Sequence, residues 1–133
     1  MNYYDTLIEV AEDCPASKAL VPQARGGKKT KPVLEYESLA KHPYTYTEEE
    51  IAFEVYAVLH DIPKASRQKE REKFLGKGHP HLRVSALAKR YGWGIHNNAE
   101  GKIALVAVES PEYARLLRDP STAKVKAFRS TRA

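Results

Sequence analysis

The sequence predicts an α+β fold in one domain, with a small antiparallel sheet and helices packed mainly on one of its faces. Three observations predict it. Tyr4, Thr6, Ile8 and Val10 alternate with Asp5, Leu7 and Glu9, the period of two of a half-buried strand. From Thr47 to Ile62, apolar residues recur at helical spacing behind a capping signal. From 92 to 109 the period returns to two on either side of a turn, which makes a hairpin. At 133 residues the chain has about the length of one domain. The expected domain spans 1–133, with a flexible basic loop at about 22–32 and a basic C-terminal tail at about 121–133.

After the first strand, Cys14-Pro15 opens a stretch without a clear period. Its centre, Gln23-Ala-Arg-Gly-Gly-Lys-Lys-Thr-Lys-Pro32, is rich in glycine and lysine and reads as a mobile, exposed loop. Val33 to Leu39 suits either a strand or a short helix, and His42-Pro43 ends it because the residue before proline avoids helical angles. Thr47 and Glu50 have the capping-box spacing, so each side chain meets a backbone N–H at a helix start. Ile51, Val55, Val58, Leu59 and Ile62 form that helix's apolar face, and Pro63 stops it. Lys64 to Leu75 reads as a second, highly charged helix closed by Gly76 and Gly78. Leu82 to Tyr91 reads as a third, with Val84, Leu87, Ala88 and Tyr91 on one face and Gly92 after its end.

Trp93 and Ile95 then alternate with Gly94 and His96, Asn97 to Gly101 turns, and Lys102 to Glu109 is apolar on both faces, as a strand inside a sheet is. Ser110-Pro111-Glu112 starts another helix, with a capping serine and proline in the first turn. Tyr113, Leu116 and Leu117 give it an apolar stripe, and Asp119-Pro120 ends it. The segment from Ser121 carries Lys124, Lys126, Arg129 and Arg132 without an acid.

No run of apolar residues approaches the roughly 20 needed to span a bilayer, so no membrane partner is expected. The start lacks a basic segment leading into an apolar one, and Cys14 is the single cysteine. Both point to a reducing, cytoplasmic setting. The formal charge of +5 favours polyanionic partners such as nucleic acid. Lys28 and Lys29 of the loop and Lys126 and Arg129 of the tail are the expected phosphate contacts, if the fold puts them on one face. No recognition-helix or aromatic ribonucleoprotein motif accompanies them.

The combination of Asn2-Tyr-Tyr-Asp-Thr-Leu-Ile-Glu-Val-Ala-Glu-Asp-Cys14, the central Phe53-Glu-Val-Tyr56, and Arg90-Tyr-Gly-Trp-Gly-Ile-His96 with Glu100-Gly-Lys-Ile-Ala-Leu105 resembles a family of small bacterial proteins of unknown function. The resemblance runs nearly end to end and implies one compact domain. It carries no activity, substrate or cofactor.

The chemistry therefore rests on the residues themselves. Arg83, Tyr91, Trp93, His96 and Glu100 gather in the richest segment, and an aromatic wall with a few polar groups is what a small-ligand pocket presents. The leading expectation is a non-catalytic binding protein with a site around Tyr91, Trp93 and His96. An enzyme using His96 as general acid or base, with Glu100 or Arg83 nearby, is the alternative from another class. His79 and His81, two apart, point the same way on an extended segment and would make a metal site with His96 and Glu100, but no paired-cysteine or metalloprotease pattern supports it, and no metal is assigned. Nucleophilic chemistry is disfavoured: no Gly-x-Ser-x-Gly elbow is present, and Cys14 is followed by proline and flanked by the acids Glu12 and Asp13, a setting unlike that of a reactive thiol. Gly26-Gly-Lys-Lys-Thr30 fails as a phosphate-binding loop because Pro22 stands where the first glycine belongs. Glu48, Glu49 and Glu50 read as acids complementing a helix dipole.

Overall fold

Asp5, at φ 47°, turns the chain into the first strand, β1 (Thr6–Glu9). The computed structural model describes residues 3–76 and 82–129. Within them the segment that suited two states is helical: α1 covers Lys31–Lys41, with Pro32 in its first turn. The preceding basic loop narrows to a two-residue turn, where Arg25 bridges Lys28 and Gly26 and Gly27 both take positive φ. Only a mirror-image turn of this kind needs both positions left-handed, and glycine supplies that at little cost.

The expected capping box is formed at α2 (Glu48–Leu59), where Thr47 accepts from the Glu50 N–H and Glu50 accepts from the Thr47 N–H. The charged segment begins as a 3-10 turn at Lys64–Ser66 and continues as α3 (Arg67–Gly76). The helix expected over Leu82 to Tyr91 is shorter. It divides into a 3-10 turn, Leu82–Val84, and a one-turn α4, Ala86–Lys89, because Ser85 is extended and caps the second piece through the Leu87 N–H. The hairpin is β2 (Trp93–Asn97) and β3 (Ile103–Ala107), followed by α5 (Pro111–Arg118), whose cap Ser110 accepts from the Tyr113 N–H.

The sheet order is β3-β2-β1-β4, where β4 is Ala123–Lys126. β1 pairs antiparallel with β2 and parallel with β4, so the sheet is mixed and has one strand more than expected. The segment read as a tail thus enters the sheet through 126, and Ala127 and Phe128 remain bonded to Glu9 and Arg83. β3, read as an interior strand, lies at an edge. Its apolar character is explained by cover from both faces, and part of its outer edge is closed by Tyr44 and Tyr46, which bond to Ile103.

Alternation divides the sheet residues between two unequal layers. Ile8, Ile95 and Ile103 pack with Leu39, Ile51, Val55, Leu82 and Ala88 from the side of α1, α2 and α4. Leu7 and Val106 pack with Tyr113 and Leu116 of α5, and with Val108, on the other side. Gly94 is required there, since a Cβ would come within 2.5 Å of the Tyr113 ring. Among the described residues no helix is long and apolar enough to cross a membrane.

Candidate functional site

The α5 side of the sheet carries the most unusual group of polar side chains. His96 sits in the middle of β2, opposite Leu7 of β1 and Ala104 of β3. Tyr44 is anchored on the outer edge of β3 by its N–H to the Ile103 carbonyl, 2.9 Å. Its phenol reaches back past the short Ala104 to His96, where Oη and Nδ1 are 2.8 Å apart. The two rings meet edge to face, with centroids 5.6 Å apart. Tyr44 holds a φ of 56°, a conformation that an aromatic residue adopts only at a cost. Asp5, with its own positive φ, acts electrostatically on the same imidazole. Of the three non-glycine residues in the left-handed region among those described, Tyr44 touches His96.

Burial pushes the His96 pKa below its ordinary value, with Arg115 adding to the drop and Glu112, Asp5 and Asp119 opposing it. Burial likewise raises the Tyr44 phenol, helped by Glu112. Both rings are thus neutral near pH 7. Nδ1 is committed to Tyr44 in either tautomer, and Nε2 has no hydrogen-bond partner among the described residues. Glu112 and Arg115, one turn apart on α5, form a two-bond pair, with Arg115 Nε donating to Glu112 Oε2 at 3.1 Å and Nη2 donating to Oε1. What the arrangement offers is one neutral nitrogen, one hydroxyl and an exposed ion pair.

The five expected ligand residues do not come together. Trp93 and His96 are three apart on one strand and so point to opposite faces, as the alternation of Trp93 and Ile95 with Gly94 and His96 already implies. Trp93 packs against Tyr36 of α1, and its indole N–H donates to the Leu20 carbonyl at 2.8 Å. The Tyr91 carbonyl accepts from the Leu20 N–H, so both residues hold the 18–21 segment across the sheet. Gly92 allows this approach, since a Cβ there would lie 2.9 Å from the Lys18 carbonyl oxygen. Arg83 is committed at the other edge, where it donates to the Lys126 carbonyl and lies over the Phe128 ring. Glu100 is exposed in the hairpin turn, its N–H bonded to Asn98 Oδ1. The charged partners of His96 are Glu112 and Arg115 instead. His79 and His81 lie outside the described residues, and among those described no group of three His, Cys, Asp or Glu side chains is placed to hold a metal.

The basic residues are divided as well. Lys29 pairs with Glu37 of α1, while Lys126 and Arg129 converge on Glu12. Lys28 lies in the turn before α1 and is exposed. Cys14 is half-buried, its thiol directed to the Ala16 carbonyl at 3.9 Å.

Tyr44, Glu112 and Arg115 escape a reading of sequence because they lie 52, 16 and 19 positions from His96 (96 − 44, 112 − 96 and 115 − 96). A further group, Glu35 and Glu48, is fully buried and braces the 82–85 segment. Ser85 donates to Glu35 at 2.8 Å, and the Leu82 N–H donates to Glu48 at 2.8 Å. Glu48 is therefore a tertiary contact as well as an acid at a helix start. Its place in the first helical turn leaves its side chain free to accept from a neighbouring segment.

Comparison with known proteins adds membership but no activity. The model of a family of unknown function, DUF6157, matches residues 1–133. No curated protein and no solved structure matches the chain.

Proposed function

We propose that this chain, which belongs to the DUF6157 family of unknown function, is a small-ligand binding protein whose site is centred on His96 and Tyr44. One observation supports the reading above the rest: a half-buried imidazole is held at Nδ1 by a strained tyrosine while its Nε2 has no hydrogen-bond partner among the described residues. The expected pocket is thereby narrowed to its histidine, since Tyr91, Trp93 and Arg83 are engaged within the fold.

The test is a fragment screen read on the imidazole nitrogens of His96 by NMR. Ligands should shift Nε2 and the Tyr44 ring, and His96→Ala should abolish those shifts while leaving the rest of the spectrum folded. Trp93→Phe should leave binding intact. Loss of binding in the Trp93 variant with retention in the His96 variant would return the site to the opposite face.

A second reading, general acid–base catalysis by His96, draws on the same neutral imidazole beside a phenol. Turnover of a bound fragment that disappears in His96→Gln would favour it. The nucleic-acid reading has less support, because Lys29, Lys126 and Arg129 each face a carboxylate. A cytoplasmic location accords with a single cysteine.

A further inference from the structure

We propose that the outer edge of β3 receives an extended segment of a partner polypeptide, which joins the sheet as a fifth strand with apolar side chains turned toward Trp93. This interaction surface is separate from the His96 site and stands whether or not His96 binds a ligand.

Hydrogen bonds at the two ends of β3 fix which way its backbone points. The Val108 N–H donates inward to the Gly92 carbonyl. At the other end Ile103 faces outward, donating to the Tyr46 carbonyl and accepting from the Tyr44 N–H. Backbone groups alternate between the two edges along an antiparallel strand, so Leu105 and Ala107 face outward with Ile103. The Ala107 carbonyl is taken by the N–H and the hydroxyl of Ser110. The Leu105 N–H, the Leu105 carbonyl and the Ala107 N–H have no hydrogen-bond partner among the described residues. Such groups at strand spacing are matched by another extended backbone.

The opposite edge of the sheet is guarded. β4 carries Lys124 and Lys126, and Arg83 closes its outer side, donating to the Lys126 carbonyl at 2.7 Å and accepting from the Phe128 N–H at 2.8 Å. Ile103-Ala-Leu-Val-Ala107 has no charge, no proline and no bulge, since its residues pair one to one with β2. An edge of that kind pairs readily with another chain. The shelf beside it is apolar. Leu105 and Ala107 share a face with Trp93, which pairs with Ala107 and packs against Tyr36, and all four are partly exposed. A second copy of β3 fits poorly. Self-pairing about Leu105 sets Ala107 against Ile103, whose bonds Tyr44 and Tyr46 already take. Self-pairing about Val106 sets the Leu105 N–H against the occupied Ala107 carbonyl. A separate strand, antiparallel as Thr47 already is opposite Lys102, meets neither obstacle.

The probe is the peptide acetyl-Thr-Val-Thr-Val-Thr-amide, titrated against the full chain with amide hydrogen exchange read by NMR. In the free protein the Leu105 and Ala107 amides should exchange faster than those of Ala104 and Val106, which face β2. Equal protection would overturn the open edge. With free peptide about tenfold above half-saturation, exchange at Leu105 and Ala107 should slow about tenfold. No slowing up to the solubility limit of the peptide would overturn the proposal. Directly paired residues share a face, so the valines seat on the shelf and their own N–H and C=O groups make the bonds. N-methylation of both valines should therefore abolish binding, while N-methylation of the threonines should leave it, and the reverse result would overturn the antiparallel pairing. Ala107→Pro removes an N–H that points away from β2, so the ladder stays intact and binding should weaken about fivefold, the scale of one hydrogen bond. The methylated peptides act on the parent protein and keep the test standing should that variant fail to fold. Sedimentation equilibrium of the chain alone should show a monomer. A dimer lost in Ala107→Pro would assign the edge to a second copy and overturn the partner strand.

Discussion

The two faces of the sheet treat polar groups differently. On the face covered by α1, α2 and α4, the buried polar side chains make hydrogen bonds within the protein, although Asn97 Oδ1 has no partner among the described residues. Glu35 takes the Ser85 hydroxyl, Glu48 takes the Leu82 N–H, and the Asn97 amide donates to the Thr6 carbonyl. On the face covered by α5 alone, His96 uses one nitrogen and keeps the other. Thick cover excludes water and raises the cost of any buried polar group left without a partner. A single eight-residue helix leaves room for a side chain to remain both partly desolvated and reachable. The difference places stability on one side of the sheet and available chemistry on the other.

The largest expected contrast is in packing. Ile95→Ala removes a fully buried side chain from the thicker layer and should cost about 4 kcal/mol, whereas Val106→Ala in the thinner layer should cost about 2 kcal/mol. Urea unfolding of both variants measures this, and equal costs would erase the asymmetry. Gly94→Ala tests the thin layer from another direction. Its methyl group must displace the Tyr113 ring, so a loss of about 1–3 kcal/mol is expected with a weakened Tyr113 to Val10 contact. A variant as stable as the parent would show that α5 is free to shift.

The faces should also answer pH with opposite signs. Burial raises the Glu35 pKa, with Ser85 and Lys31 opposing, so the folded state holds a proton that the unfolded state releases above 4.5. Its contribution to stability is present below that pH and is lost as pH rises through the raised folded value. Burial lowers the His96 pKa, so the unfolded chain takes up a proton first as pH falls below 6.5. Stability is therefore lost from 6.5 downward toward the depressed folded value. Denaturation midpoints across pH should flatten above 4.5 for Glu35→Gln and below 6.5 for His96→Gln. A His96→Gln curve that keeps its fall below 6.5 would assign that fall to another group. The smallest expected effect is that of Glu112→Gln on stability. An exposed pair contributes little, so its thermal midpoint should stay within about a degree of the parent.

The local elements were legible because each is set by residues close in sequence. Thr47 and Glu50 announce their helix, Ser110-Pro111 announces another, and the alternation from Trp93 to His96 marks a strand. Val33 to Leu39 is ambiguous because a short apolar segment fits either period, and packing of Leu39 against the isoleucines of the sheet decides it. The segment after Ser121 looked like a tail because Lys124 and Lys126 mask the period of its short strand, and only β1 gives that strand a partner. The candidate site was half legible. His96 was singled out for its titration near neutral pH, but Trp93 was grouped with it by proximity in sequence, although alternation separates them.

By itself, then, the sequence determined an α+β chain with its strands, caps and turns, and named His96 as a group worth attention. Tertiary structure alone decided which face His96 occupies, that Tyr44 crosses β3 to hold it, and that burial lowers its pKa. The reason is one of range. Backbone periodicity and capping act over a few residues, whereas the electrostatic environment of an imidazole is assembled from segments brought within a few ångströms only when the sheet and α5 close around it.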